Sequence, residues 1–164
     1  MTRRNITFAF NVINAILPGG HFRAVKRVML RVCGVKIGNS SINQGVRFYH
    51  PNIIIGDNTW IGAECRFFAH DTATISIGDC CDLGPGITFV TGSHELGSIE
   101  RRAGAGFALP IEVGSGCWLG TCSTLLGGAQ LMPGTMIGAQ ALVLPGKYES
   151  GLYAGVPAKL IRDL

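Results

Sequence analysis

The chain has 164 residues, a length that fits one domain able to bury a core without metal or disulfide staples. Glycine is the outlier: 24 residues in a chain that is 47% hydrophobic and 15% charged, which excludes disorder and counts against a helical bundle, where each interior glycine costs about 1 kcal/mol relative to alanine. The net charge of +4 joins a leader, residues 1–36, with seven Lys or Arg and no acid, to a body with seven basic and ten acidic residues, too few clustered cations for a nucleic-acid groove.

Residues 1–33 predict a helical leader. Arg3 and Arg4 precede an apolar run from Ile6 to Leu17, but Asn11 and Asn14 interrupt it and no small-x-small cleavage site follows, so the segment is read as retained rather than as a signal peptide. Ile6, Phe10, Ile13 and Leu17 form one apolar row, stopped by Pro18, Gly19 and Gly20. Phe22, Val25, Met29 and Val32 form another over residues 21–33, with Arg23, Arg27 and Arg31 on the other side. Two roles fit: covering the exposed end of whatever follows with the apolar face, or peripheral contact with an anionic membrane through residues 1–33. The six cysteines include the adjacent Cys80 and Cys81, a poor fit to a disulfide framework, so reduced thiols and a cytoplasmic protein are expected.

From Ile37 onward a period of six organises the chain. Aliphatic-glycine pairs fall at Ile37, Ile55, Ile61, Ile77, Leu83, Val113, Leu119 and Ile137, with separations of 18, 6, 16, 6, 30, 6 and 18; the 16 marks an insertion of four residues near His70 to Ala73. Phe67, Phe89, Leu125, Leu131 and Val143 complete the apolar register, and only Asn43 and Tyr49 in the first coil break it. Four places after each register residue stands Ser41, Thr59, Cys65, Cys81, Ile87, Cys117, Ser123, Ala129, Thr135 or Ala141, nearly all small. A large aliphatic, a small residue and a glycine repeated every six describe a short strand and a turn whose coils stack into a shared core.

This pattern, over residues 34–162, resembles the hexapeptide-repeat acyltransferases. The resemblance implies an all-β fold, a left-handed parallel β-helix with three hexads per coil. It divides the chain into a helical cap (1–33), the β-helix (34–146) with an extruded loop at 91–112, and a tail (147–164) that closes a coenzyme A site. Cys65, Cys81 and Cys117 then occupy the small-residue slot as packing.

Between Phe89 and Val113 the rule lapses, and loops extruded from a regular scaffold are where function concentrates. Thr91-Gly92-Ser93-His94, then Pro110-Ile111-Glu112-Val113-Gly114 and Cys117-Trp118-Leu119-Gly120, look like the sugar and xenobiotic O-acetyltransferase branch, in which the histidine at the position of His94 is the general base. Acyl transfer from a thioester to an alcohol needs such a base, and imidazole accepts a proton near neutral pH. Resemblance further implies an oxyanion donor among the backbone amides of Gly120 and Thr121. The partner that orients His94 is unassigned; Glu95 and Glu100 are near in sequence. Trp118 either packs outward on a loop or a neighbouring subunit or lines the acceptor or pantetheine channel. Asp71, in the insertion, is either a turn-capping aspartate or an acceptor contact. The closing segment Gly155-Val156-Pro157-Ala158-Lys159-Leu160-Ile161-Arg162 is similar to that of relatives, in which amides around Ala139 contact pantetheine and the cations at Lys159 and Arg162 meet the adenosine phosphates. Relatives carry Thr-Lys-Asp after the final valine; here Leu144-Pro145-Gly146-Lys147 follows, with Lys147 the candidate substitute.

The function expected from the resemblance is transfer of an acetyl group from acetyl-CoA to a hydroxyl of a saccharide or saccharide-containing intermediate, without metal, in a homotrimer with active sites between subunits. Rivals are a non-catalytic scaffold, acetylation of an amino sugar, serine or an antibiotic, and a gamma-class carbonic anhydrase. The last needs three histidines, whereas this chain has His21, His50, His70 and His94, with cysteines at Cys117 and Cys122 where the five-residue step of two such ligands falls.

Overall fold

The computed structural model describes residues 3–17 and 22–164. From Lys36 the hexads fold into short parallel strands that make the three faces of a left-handed β-helix of about six turns. The first face stacks Lys36–Ile37, Ile53–Ile55, Ile75–Ile77, Ile111–Val113, Ala129–Leu131 and Gly146–Tyr148. The second stacks Ser41–Ile42, Trp60–Ile61, Asp82–Leu83, Trp118–Leu119, Met136–Ile137 and Gly151–Ala154, on which Lys159–Asp163 returns antiparallel. The third stacks Arg47–Phe48, Arg66–Phe68, Thr88–Val90, Thr124–Leu126 and Leu142–Val143.

Because like positions stay in register, each inward side chain lies on its own counterpart. Ile37, Ile55, Ile77, Val113 and Leu131 form one buried column. Phe48, Phe67 and Phe89 form a ladder of rings 4.9 and 4.8 Å apart and within 10° of parallel, the spacing of hydrogen-bonded strands. The small slot has its own chemistry. The hydroxyls of Ser40 and Thr59 donate to the carbonyls of Gly56 and Gly78 in the next coil at 2.7 and 2.8 Å. The thiols of Cys65, Cys81 and Cys117 reach Gly84, Gly114 and Met132 in the same way. Burial pushes the Cys65 thiol up to about 12, so it is an inert packing group.

The first coil departs from the hexad count. Its inward residues are Ile42 and Phe48, paired with Ile61 and Phe67, not Asn43 and Tyr49, and its small residue is the buried Ser40, not Ser41. The steps from Ile37 to Ile42, Phe48 and Ile55 are five, six and seven residues, so a shortened side and a lengthened one cancel within a coil of 18.

Two helices, α1 (Arg3–Ile16) and α2 (Arg23–Val32), pack on this first coil. The predicted start at His21 and stop at Pro18 to Gly20 lie outside the described residues. Phe10 is buried and Met29 partly buried as the apolar rows predict, but the faces otherwise differ from those expected. α2 buries Lys26 and Leu30, leaving Phe22, Val25 and Val32 exposed, and α1 buries Thr7, Phe10 and Asn14, leaving Ile13 exposed. The reason is the surface being covered. The first coil has no coil beneath it, so its edge carbonyls need donors, which an apolar face cannot supply. Asn14 Nδ2 donates to Asn43 O and Val46 O at 3.1 and 2.9 Å, and Asn11 bonds both the amide and the carbonyl of Phe48. Lys26 Nζ reaches Ile42 O, Arg27 reaches Ser40 O and Arg31 reaches Ile37 O. Burial pushes the Lys26 ammonium below its usual value.

Two excursions leave the corner between the third and first faces, in successive coils. The insertion expected at His70 to Ala73 closes through an antiparallel bridge between those two residues. The longer excursion carries a hairpin of Gly92–Leu96 and Ala103–Ala108. Thr91, at its base, donates through both N–H and Oγ1 to Phe68 O at 3.1 Å. The fold makes a direct stability prediction: Phe67→Ala, which removes the middle ring of the ladder, should lower the unfolding free energy by about 3–5 kcal/mol in urea titration with an unchanged slope.

Candidate active site

At the corner between the second and third faces a groove of about 290 Å³ is lined by Gly84, Trp118, Gly120, Thr121, Met136, Ile137, Gly138, Ala139 and Leu152. Four residues singled out in the sequence, Trp118, Gly120, Thr121 and Ala139, therefore meet in one place. They meet because the coil repeat stacks Trp118 on Met136 and Leu119 on Ile137, which carries Gly120–Thr121 over Gly138–Ala139.

The glycines set how close the coils come. A Cβ on Gly84 would lie 2.8 Å from the Thr121 nitrogen, and one on Gly120 would overlap the Ala139 nitrogen. Glycine at these two positions leaves both amides uncovered. The corner between the first and second faces shows the contrast. There the amides of Asn39, Asp57 and Asp79 are capped by Asp57 Oδ1, Asp79 Oδ1 and Ser115 Oγ at 2.5, 2.7 and 3.1 Å. The N–H groups of Thr121 and Ala139 have no partner among the described residues. The N–H of Gly120 is in a different state: it donates to Ile137 O at 2.7 Å. Of the two amides expected as oxyanion donors, Gly120 is thus spent in holding the coils together, and Thr121 alone is open. Prolines at Pro85 and Pro133 occupy the same place in other hexads, so this backbone position does not depend on its N–H.

His94 lies elsewhere. It is exposed on the hairpin, opposite Gly106, where a Cβ would approach its Nε2 to 3.8 Å. Its ring makes no hydrogen bond or ion pair among the described residues, so neither Glu95 nor Glu100 orients it; a hydrogen bond from Ser98 holds the Glu100 carboxyl below its usual range. The hairpin rises from the third–first corner and the groove opens at the second–third corner, so one chain does not bring His94 to the groove.

Asp71 shares the hairpin's corner, one coil away. Its carboxylate is exposed and meets His70 Nδ1 at 2.6 Å. Beside it a cleft of about 490 Å³ includes His50, Asn52 and Thr74. Burial lowers the His50 pKa, with Asp71 opposing the shift and His70 adding to it. His50 and His70 were not singled out from sequence; counting the register to the corner where both excursions emerge would have found them.

The cations divide between faces. Lys159 and Arg162 lie on the antiparallel strand beside Ala154 and Leu152, next to the groove. Lys147 lies on the first face, paired to Glu149 at 2.7 Å. Among the described residues no three His, Cys, Asp or Glu side chains gather as a metal site requires.

No protein-family model matches the chain. An acetyltransferase, provisionally so named, of Schizosaccharomyces pombe is 34% identical over 116 residues, 71% of this chain and 55% of that relative. A protein of Escherichia coli K12, provisionally named a colanic acid biosynthesis acetyltransferase, is 30% identical over 137 residues, 82% of this chain and 72% of the relative. The chain thus spans little more than half of the first and most of the second. A hexapeptide-repeat acetyltransferase from Vibrio cholerae, solved with acetyl-CoA, superposes with a TM-score of 0.82 at 23% identity, covering 99% of this chain and 87% of that one. The chain belongs to the hexapeptide-repeat acetyltransferase family.

The corner geometry predicts opposite outcomes for two neighbouring substitutions. Gly120→Val forces a side chain into the next coil's backbone and should cost about 2 kcal/mol or more of stability. Thr121→Pro, which places a residue already accepted at Pro85 and Pro133, should leave the thermal midpoint nearly unchanged.

Proposed function

We propose that the chain is a coenzyme-A-dependent O-acetyltransferase that acetylates a hydroxyl of a saccharide or saccharide-containing intermediate. The observation that carries this reading is the pair of open amides at Thr121 and Ala139, one coil apart in a mostly apolar groove. The pantetheine arm of coenzyme A is a narrow chain with amide groups along it, so a carbonyl of it has the Ala139 N–H as donor and its methylenes have Trp118, Met136 and Leu152, while the Thr121 N–H is left for the reacting end. Lys159 and Arg162 at the same edge suit the phosphates of the nucleotide end, while Lys147, on another face, serves only a ligand that spans two copies.

Acetyl-CoA brings the activated acyl carbon. As the acceptor oxygen attacks it, the His94 imidazole takes the hydroxyl proton and the Thr121 N–H donates to the developing oxyanion. The carbon–sulfur bond then breaks and the proton passes from His94 to the departing thiolate, leaving the imidazole neutral. No cysteine is consumed in this sequence. Because His94 and the groove lie at different corners, the working form is a homotrimer, in which the hairpin of one copy reaches the groove of the next and Asp71 and His70 stand on the acceptor side. The free thiols of Cys65, Cys80, Cys81, Cys117 and Cys122 support a reducing, cytoplasmic setting.

A thiol-release assay with acetyl-CoA against sugars, sugar nucleotides and small alcohols tests the reading and identifies the acceptor. His94→Ala should lose about 10²–10⁴-fold in kcat while binding coenzyme A normally by calorimetry; a near-normal rate contradicts the assignment. Ala139→Pro should raise the KM for acetyl-CoA about fivefold to tenfold, the loss of one hydrogen bond, with the fold intact.

A further inference from the structure

The helices that cap the first coil turn Asn14 and Lys26, together with Phe10 and Leu30, onto its edge, and a second set of apolar side chains faces outward. On α1, Phe8, Val12 and Ile16 are 69%, 49% and 77% exposed, and on α2, Val25, Val28 and Val32 are 50%, 57% and 71% exposed. Their spacing of three and four residues puts each set in one stripe, opposite the buried Thr7, Phe10 and Asn14 of α1 and Lys26 and Leu30 of α2. The two helices touch, so the stripes join into one apolar layer. Single exposed apolar side chains are ordinary, whereas a layer of this kind marks an interaction surface.

Charge decides what covers it. Residues 1–56 hold eight Lys or Arg and no acid; the first carboxylate in the chain is Asp57. Two copies meeting through this end would oppose like charges with no acid to separate them, which disfavours self-association. A surface of negative charge over hydrocarbon complements both properties at once. No helix among the described residues is long and apolar enough to cross a membrane, so the fitting geometry is two helices lying in the interface, apolar side toward the acyl chains, with the net positive charge of this end attracting the anionic surface at longer range.

We propose that the helical cap docks on an anionic phospholipid bilayer. The reading is independent of the chemistry in the groove, because it uses none of the groove's residues. The full chain is mixed with vesicles of phosphatidylglycerol and phosphatidylcholine, or of phosphatidylcholine alone, and sedimented. It should pellet with the anionic vesicles only, and raising the salt should weaken binding at least about tenfold. Val28→Asp with Val32→Asp should weaken it at least about tenfold too, with an unchanged thermal midpoint; should that pair fail to fold, Phe8→Ser on the other helix carries the same expectation. Failure to pellet with anionic vesicles at low salt, or a folded variant that binds like the parent, overturns the proposal. So does sedimentation velocity without vesicles in which the parent forms a larger species that the variant does not, which would assign the face to a second copy.

Discussion

Hydrogen bonding between coils at a fixed spacing of about 4.8 Å is the constraint from which the rest of the molecule follows. It requires like positions to stack on like, hence the phenylalanine ladder of Phe48, Phe67 and Phe89 and the aliphatic columns. It leaves no room for a Cβ where one coil's corner crosses the next, hence glycine before Thr121 and before Ala139. It also permits extra residues only at corners, where a detour breaks no ladder, and both excursions leave from one such corner.

The same constraint explains what a ligand would find. Most corner amides are occupied by the neighbouring coil or capped by its side chains, as at Asn39, Asp57 and Asp79. At the second–third corner the residues of the next coil offer Thr121 and Ala139 no such acceptor, and two donors stay open in a groove floored by glycine. A rigid scaffold thus presents donors at a fixed interval without any loop to order, which is the preorganisation that binding a long flexible ligand benefits from.

Much of this was legible because an 18-residue coil is arithmetic. The columns from Ile55 to Val143 and the insertion at His70 to Ala73 follow from counting, whereas Trp118, Thr121 and Ala139 were marked by the family resemblance. The first coil was not, because its five- and seven-residue sides sum to the same total and hide each other. The helices were located, but only part of the face they turn inward was, since Asn14 and Lys26 are buried beside Phe10 and Leu30. Reading amphipathicity presumes that the covered surface is apolar, whereas the edge of a solenoid is a row of carbonyls that Asn11, Asn14, Lys26, Arg27 and Arg31 satisfy. The spent N–H of Gly120 was also invisible, since a repeat shows which residues stack but not which hydrogen bonds they exchange.

The triangular section separates the two halves of the proposed site, His94 at one edge and the open amides at another, so the proposed reaction requires more than one copy. Subunit complementation tests this most directly. Chains carrying His94→Ala are mixed in equal amounts with chains carrying Thr121→Pro and Ala139→Pro, then dissociated and reassembled. Each parent alone lacks one half in every site, but over all rings formed by random assortment about a quarter of sites combine an intact hairpin from one copy with an intact groove from the next. The account predicts that acetyl transfer returns to about that fraction of the unmutated level; a mixture as inactive as its parents would contradict it.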